Sequence, residues 1–415
     1  MPAEPPELPP SSAPVAGCAM GAVLRGAGRF GGLRGQSAGR RVVRPHPGPG
    51  RGPGRPLLPA ALRPVWRAPG ELQLGLDPAR AVMVGGVDEP TARFLLRLDG
   101  TRTEAETLAS AAAGGLDPLA LGNLLAELRD EGVLGEVAPG DPAGSAELVP
   151  PAGSAAAAHA FGSAGAAGRL GPDLASLSLL GGLRTPLETV RRRRAATVVV
   201  HGAGRVGSGV ATLLAAAGVG RVHVADSGPV RPGDVAPAGV AAADVDRSRA
   251  TAAAEALRRT APEVRTDPPQ PGRRPDLVVL ASVDPVDTEL RAVLQGGLVA
   301  HLVAGVRETT AVIGPLVVPG RTSCLRCADL HRTDRDPAWP VVAAQLTGVR
   351  RRRAEPCDVV LATVAAGIAA LQALTHLEGR PAASAGATLE LALPDWRLRR
   401  RSWPAHQRCG CGAAA

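Results

Sequence analysis

Four of the six cysteines in this 415-residue chain fall into two close pairs far apart in sequence. Cys324 and Cys327 stand in RTSCLRCADLH, and Cys409 and Cys411 in HQRCGCGAAA. A C-x-x-C turn supplies half of a tetrahedral thiolate site. C-x-C is tighter, and Gly410 makes its turn feasible. If one Zn²⁺ is shared by all four sulfurs, the end of the chain must return to a mid-chain turn. Few sequence patterns impose so long-range a contact. Four thiolates leave no coordination position open, so the role is structural. The alternative is two pairs of free or disulfide-bonded thiols. His331 and His406 lie nearby and are surplus to four ligands. No basic start followed by an apolar stretch marks a secretory signal, so a cytoplasmic location is expected. In that setting close Cys pairs point to a metal before disulfides.

Apolar residues make up 45% of the chain but aromatics only 2%, so the core must be built from Ala, Val and Leu. All 47 basic residues are Arg. Residues 1–68 hold ten Arg against Glu4 and Glu7, which places +8 of the net +9 there and leaves the remainder near neutral. A basic domain face for nucleic acid is therefore not indicated. The apolar run 359–377 carries a His and many Ala, which predicts a buried core helix and no membrane span.

Residues 1–68, rich in Pro, Gly and Arg, are expected to be a disordered tail. Residues 69–137 read as a small winged-helix-like module. Strands are predicted at 71–76 and 81–87. Helices follow at 88–100 and from 101, where Thr103 and Glu106 have capping-box spacing. A third helix from 117 carries Leu119, Leu121, Leu124, Leu125 and Leu128 as one buried face, and a short strand ends the module. Residues 138–170 form a Gly/Ala/Ser-rich linker. From 171 to 415 strands alternate with helices: strands at 196–202, 220–226, 276–282 and 298–305, helices at 205–218, 244–262 and 285–297. That alternation predicts an α/β, Rossmann-like, doubly wound and mostly parallel sheet.

The first strand runs into VVVHGAGRVGSGVA, with Gly202, Gly204 and Gly207 in G-x-G-x-x-G order. The first glycine permits a tight turn, the second close approach of backbone to phosphate, and the third helix-on-strand packing. Phosphates then meet the N–H groups at a helix N-terminus. Asp226 ends the next strand, where an acid can hold a ribose hydroxyl. A Rossmann-like domain with a decayed nucleotide site is the alternative. A nicotinamide oxidoreductase would also suit the loop, and the cysteine pairs argue against it. Cys357 lies behind an Arg run and before the apolar helix, both of which lower a thiol pKa. A buried structural Cys is the alternative there. Cys18 falls in the tail.

The order GAGRVG, VHVAD, LVVLASVDPVDTELR, IGPLVVPGRTSCLRC, an Ala-rich helix behind a Cys, and a closing Cys pair resembles the E1-like adenylating enzymes of the ThiF/MoeB type over about 195–412. GPLVVPGRTSCLRC and WPAHQRCGC look particularly like the E1-like proteins of thiazole/oxazole-modified peptide biosynthesis. Those often carry a winged-helix-like segment that binds a leader peptide. The resemblance implies an ATP- and Mg²⁺-dependent adenylyltransferase that activates the C-terminal carboxylate of a precursor peptide or small carrier protein. It also implies a homodimer. By matching positions, Gly202, Gly204 and Gly207 would hold phosphates, Asp226 the ribose and Asp284 the Mg²⁺. Arg249 would take the place of a phosphate-contacting Lys, and Cys357 falls near the family's thiolate. Gly228 replaces the second acid of the ribose motif, and RPGDVAPAG (231–239) supplies neither the family's Asn nor its catalytic Arg. The competing reading is a catalytically silent scaffold that docks a leader peptide for a partner modifying enzyme.

Overall fold

The computed structural model describes residues 23–26, 54–137, 161–180, 186–282, 285–348 and 356–413. Two compact units divide the chain: Met1–Glu147 with Ala175–Gly182, and Leu148–Leu174 with Leu183–Ala415.

In the first unit, β1 (Val23–Gly26), β3 (Pro64–Ala68), β4 (Glu71–Leu74) and β5 (Val82–Gly85) form an antiparallel sheet in the order β1-β5-β4-β3. A separate pair joins β2 (Arg55–Leu57) to β6 (Gly135–Val137). Three helices lie between β5 and β6: α1 (Glu89–Leu96), α2 (Glu104–Ala113) and α3 (Pro118–Asp130). Each begins where a short polar side chain satisfies the first free N–H groups. Asp88 accepts from Thr91 N at 2.9 Å. Thr103 and Glu106 close a reciprocal capping box, as their spacing predicts. Asp117 accepts from Leu119 N at 2.9 Å, with Pro118 in the first turn.

The core of this unit gathers Leu72, Leu74, Val84, Leu95, Leu124, Leu125 and Leu128. Leu119 departs from the expected face and is 75% exposed. At about 100° per residue it points roughly 200° away from Leu121, off the stripe. The tail expected over 1–68 is also corrected in part. β1, β2 and β3 lie inside it, and Leu58 and Leu62 are buried in this core. Their apolar residues are few and interrupted by prolines, so average composition conceals them. Main-chain pairing such as Val23 with Gly85 leaves no side-chain signal at all.

Helix α4 (Ala164–Leu179) begins inside the stretch read as a 138–170 linker and runs past its end. Ser163 Oγ accepts from Ala166 N at 3.0 Å, which starts it. Ala is the strongest helix former, and the surrounding Gly and Ser mask that preference.

The second unit carries α5 (Pro186–Ala195) and then a seven-stranded sheet ordered β13-β12-β11-β10-β9-β7-β8. The strands are β7 (Thr197–His201), β8 (Arg221–Ala225), β9 (Leu277–Leu280), β10 (His301–Arg307), β11 (Thr310–Val317), β12 (Ala387–Ala392) and β13 (Leu398–Ser402). β8, β7, β9 and β10 are parallel, as strand–helix alternation predicts. β11, β12 and β13 extend the sheet antiparallel. The reversal occurs at the two-residue turn Glu308–Thr309, where Glu308 has φ 55°. Asn or Gly would mark such a turn in sequence, and a Glu does not.

Alternate strand residues separate the two faces. Val198, Val200, Leu277, Val279 and Leu302 meet α6 (Arg205–Ala216), α7 (Arg249–Thr260) and α11 (Val359–Leu377). Val199, Val278, Leu280 and Val303 face α8 (Thr288–Gly296) and the start of α9 (Leu325–Arg335). Among the described residues α11 is the one helix long and apolar enough to cross a membrane. Here its buried Ala362, Ala365, Ala366, Ala369, Ala370 and Ala373 let it lie close against α6. A Cβ on Gly209 of α6 would come within 3.0 Å of the Ala366 Cβ. Small residues thus do the packing that aromatics do in other cores.

Candidate active site and metal centre

The sheet order reverses between β7 and β9, and ligands of open α/β sheets bind beyond the strand ends at such a point. The glycine loop lies there, and its three glycines take separate parts. Gly202 has φ 96°, a conformation costly to any residue with a Cβ, and its N–H donates to Ala225 O at 3.0 Å. Gly204 caps α6 without a side chain. A Cβ there would meet nothing nearer than Asp234 Oδ1 at 3.8 Å, so space above the helix N-terminus is open. Gly207 is the packing glycine. A Cβ there would lie 2.0 Å from Gly202 O and 2.8 Å from Ala281 Cβ.

Asp226 stands just past β8 and braces the loop. Its Oδ2 accepts from Ala203 N and its Oδ1 from Gly228 N, each at 2.8 Å. Arg249, the first residue of α7, lies with Nη1 3.6 Å from Asp226 Oδ2. Its Nη2 and Nε reach Asp234 Oδ2 at 2.7 and 2.9 Å. Asp234 also accepts from Arg231 N at 2.7 Å. Sequence reasoning missed Asp234, although it is the one acid in the 231–239 segment. Arg205, the first residue of α6, donates from Nη1 to the Cys357 carbonyl at 2.5 Å. The Cys357 backbone is thereby tied to a residue of the glycine loop. The structure brings together Gly202, Gly204, Gly207, Asp226, Arg249 and Cys357. Asp284 lies outside the described residues.

The cysteines form a second centre, on the face of the sheet that carries Val199 and Leu280. Cys324 Sγ is 3.9 Å from Cys327 Sγ and 3.6 Å from Cys409 Sγ, and Cys327 Sγ is 3.6 Å from Cys411 Sγ. All four sulfurs lie within 4.8 Å of one another. A tetrahedral ion with bonds of about 2.3 Å needs sulfurs about 3.8 Å apart, and these thiols fit it. The His406 N–H points at Cys327 Sγ at 3.4 Å, a donor suited to a thiolate. Burial pushes the Cys324 and Cys409 thiols up, so without a cation these sulfurs resist ionising together. The return of the C-terminus has visible causes. β13 pairs with β12, Trp403 is buried, and its Nε1 donates to Thr388 Oγ1 at 2.6 Å. Ser323 Oγ, next to the first cysteine, donates to Trp403 O at 2.5 Å. His331 and His406 stay outside the sulfur cluster. His331 Nε2 lies 3.1 Å from Pro404 O, and His406 Nε2 2.7 Å from Asp334 Oδ2.

A mostly parallel sheet with an open glycine loop at its switch point, plus a thiol cluster under the far face, defines a Rossmann-like α/β protein. The chain belongs to the ThiF family, whose model matches residues 183–413. Solved structures share its fold. E. coli MccB with ATP is 15% identical, with a TM-score of 0.62, covering 86% of this chain and 99% of that one. The microcin C7 biosynthetic enzyme MccB in complex with N-formylated MccA is 14% identical, with a TM-score of 0.61 and coverage of 86% and 99%. PaaA is 15% identical, with a TM-score of 0.56 and coverage of 83% and 98%. No curated protein matches the chain in sequence.

Proposed function

We propose that this chain is an ATP-dependent adenylyltransferase that activates the C-terminal carboxylate of a precursor peptide or small carrier protein in peptide natural-product biosynthesis. Membership of the ThiF family supports ATP and Mg²⁺ as its cofactors. The observation that carries the reading is the convergence on one loop. The open Gly204 N-cap, the Asp226–Arg249 pair and the Cys357 backbone all meet it. The α-phosphate would sit over the N–H groups of α6, Asp226 would take the ribose, and Asp284 would hold Mg²⁺. A carboxylate oxygen of the peptide bonds the α-phosphorus, the bond to the bridging oxygen breaks, and pyrophosphate leaves. Arg249 adds positive charge where the phosphates lie. The Cys357 thiolate would then accept the acyl group with release of AMP.

In the same reading, Cys324, Cys327, Cys409 and Cys411 hold a structural Zn²⁺. The first unit is a winged-helix-like leader-docking module: β3 is an open sheet edge with mostly exposed residues, to which an extended peptide can add a strand. Expected partners are the precursor peptide, a modifying enzyme and a second copy of the chain, in the cytoplasm. MccB bound to MccA shows that a protein of this fold takes a peptide partner. The test is ATP–pyrophosphate exchange with a genomically neighbouring precursor peptide. Exchange that depends on the peptide and disappears in Gly204→Asp supports the reading.

One observation favours the silent scaffold. Arg249 is held by both Asp226 and Asp234, so its charge is already paired within the chain. On that reading the peptide binds, Gly204→Asp leaves its affinity unchanged, and no exchange occurs.

A further inference from the structure

We infer that a cavity over β10 and β11 receives the last residue of the activated peptide and selects a carboxylate side chain there. This rests on the adenylation reading above. The cavity has a volume of about 470 Å³, within the range of small-ligand sites. Its roof is α9 and α10 (Trp339–Gly348). Two of its lining prolines lie close in sequence to the glycine-loop site. Pro285 follows within five residues of Leu280, the end of β9 and one side of the switch point. Pro356 adjoins Cys357, whose carbonyl is held by Arg205 of the glycine loop. A peptide whose terminal carboxylate reaches that loop would bring its last side chain towards this cavity.

The lining fixes the chemistry. Val303, Val312 and Trp339 give apolar walls. Asp329 shares its carboxylate between Arg291 Nη1 at 3.0 Å and Arg332 Nη1 at 2.9 Å. One acid against two guanidiniums leaves a positive charge in excess. These three side chains are only 25–27% exposed. Arg307 and Glu308 also line the cavity and cancel in charge. The Arg332 guanidinium lies 5.1 Å from the Trp339 ring and 5.1 Å from the Trp403 ring, which restrains it. Burial is the main influence on Arg332 and lowers its pKa, so its charge is poorly solvated and gains most from an anion. A carboxylate can take the remaining guanidinium donors in charge-assisted bonds. An apolar residue would leave them unsatisfied, and a basic one would be repelled.

The experiment uses the full chain and N-acetylated hexapeptides identical except for a last residue of Asp, Asn, Leu or Arg. Two readouts are taken: ATP–pyrophosphate exchange, and quenching of Trp339 fluorescence as the difference between wild type and Trp339→Phe. The Asp peptide is expected to exceed the Leu and Arg peptides by about tenfold in both. Arg291→Gln removes most of that preference, whereas Asp329→Asn retains it. Arg332 is left unchanged because it packs between two indoles. Equal exchange across the series, or a preference for Leu or Arg, overturns the pocket and leaves adenylation in place. Acid-selective quenching without exchange keeps the pocket and removes the adenylation reading. Neither signal with any peptide overturns both.

Discussion

Arg205 and Cys357 are joined by a hydrogen bond from Nη1 of the first to the carbonyl oxygen of the second, at 2.5 Å. The contact ties the first residue of α6, in the glycine loop, to the segment that leads into α11. It makes the position of Cys357 depend on the same loop that would hold the nucleotide.

Arg205→Ala should therefore uncouple the two. A hydrogen bond from a charged donor is worth about 1.5–3 kcal/mol, so peptide-dependent exchange should fall by about tenfold or more. The KM for ATP should change less than kcat, because the N–H groups of α6 remain. Arg205→Lys should recover only part of the loss, since a lysine offers a point charge in place of a planar fork. Steady-state exchange kinetics decide this.

Gly207 and Gly204 should respond oppositely to substitution. Gly207→Ala forces a methyl to within 2.0 Å of Gly202 O, so the backbone must move. Overpacking of this kind costs about 1–3 kcal/mol or more, a melting-temperature drop of about 5 °C or greater. Gly204→Asp has room for its Cβ and should keep the wild-type melting temperature. It should nevertheless abolish ATP binding by placing a carboxylate among the phosphates. Thermal shift with and without ATP separates the two.

Elemental analysis should find one zinc per chain. Cys327 is fully buried, and Cys327→Ser should remove the metal and destabilise the second unit by several kcal/mol. Cys411→Ser, at the chain's edge, should weaken zinc affinity with less unfolding. Strong chelation should lower the melting temperature of the wild type and leave that of Cys327→Ser unchanged.

Stability should fall on mild acidification. His301 is buried, and burial lowers its pKa below the ordinary 6.5, with the Val299 carbonyl only partly opposing this. His201 and His376 shift in the same direction, also chiefly through burial. Each is neutral in the fold, and the unfolded chain takes up the proton first. Stability is therefore intact above pH 6.5 and lost as pH falls below it. Each such histidine can cost up to about 1.4 kcal/mol per pH unit in that window. Melting curves between pH 7.5 and 5.5 should show the slope, and His301→Asn should reduce it.

Much of the site was legible because its signals are local. The roles of Gly202 and Gly207 follow from having no Cβ within a six-residue loop, and the structure shows the expected tight turn at the first and close packing at the second. The capping box at Thr103 and Glu106 spans four residues and forms as spaced. The cysteine pairs were readable through their chemistry, since soft thiolates at knuckle spacing have few other uses. Asp234 left no comparable mark. An acid in a Pro- and Gly-rich segment looks like any loop residue until Arg249 is placed beside it.

The sequence by itself determined the α/β class, the glycine-rich strand-to-helix turn and the pairing of four thiols, because backbone sterics, helix caps and ligand softness act within a few residues. Only the tertiary structure decided the antiparallel extension from β11 to β13, the strands inside the supposed tail, the Arg249–Asp234 pair and the hold of Arg205 on Cys357. Those contacts depend on which distant surfaces pack together, and that balance of long-range burial leaves no local pattern to read.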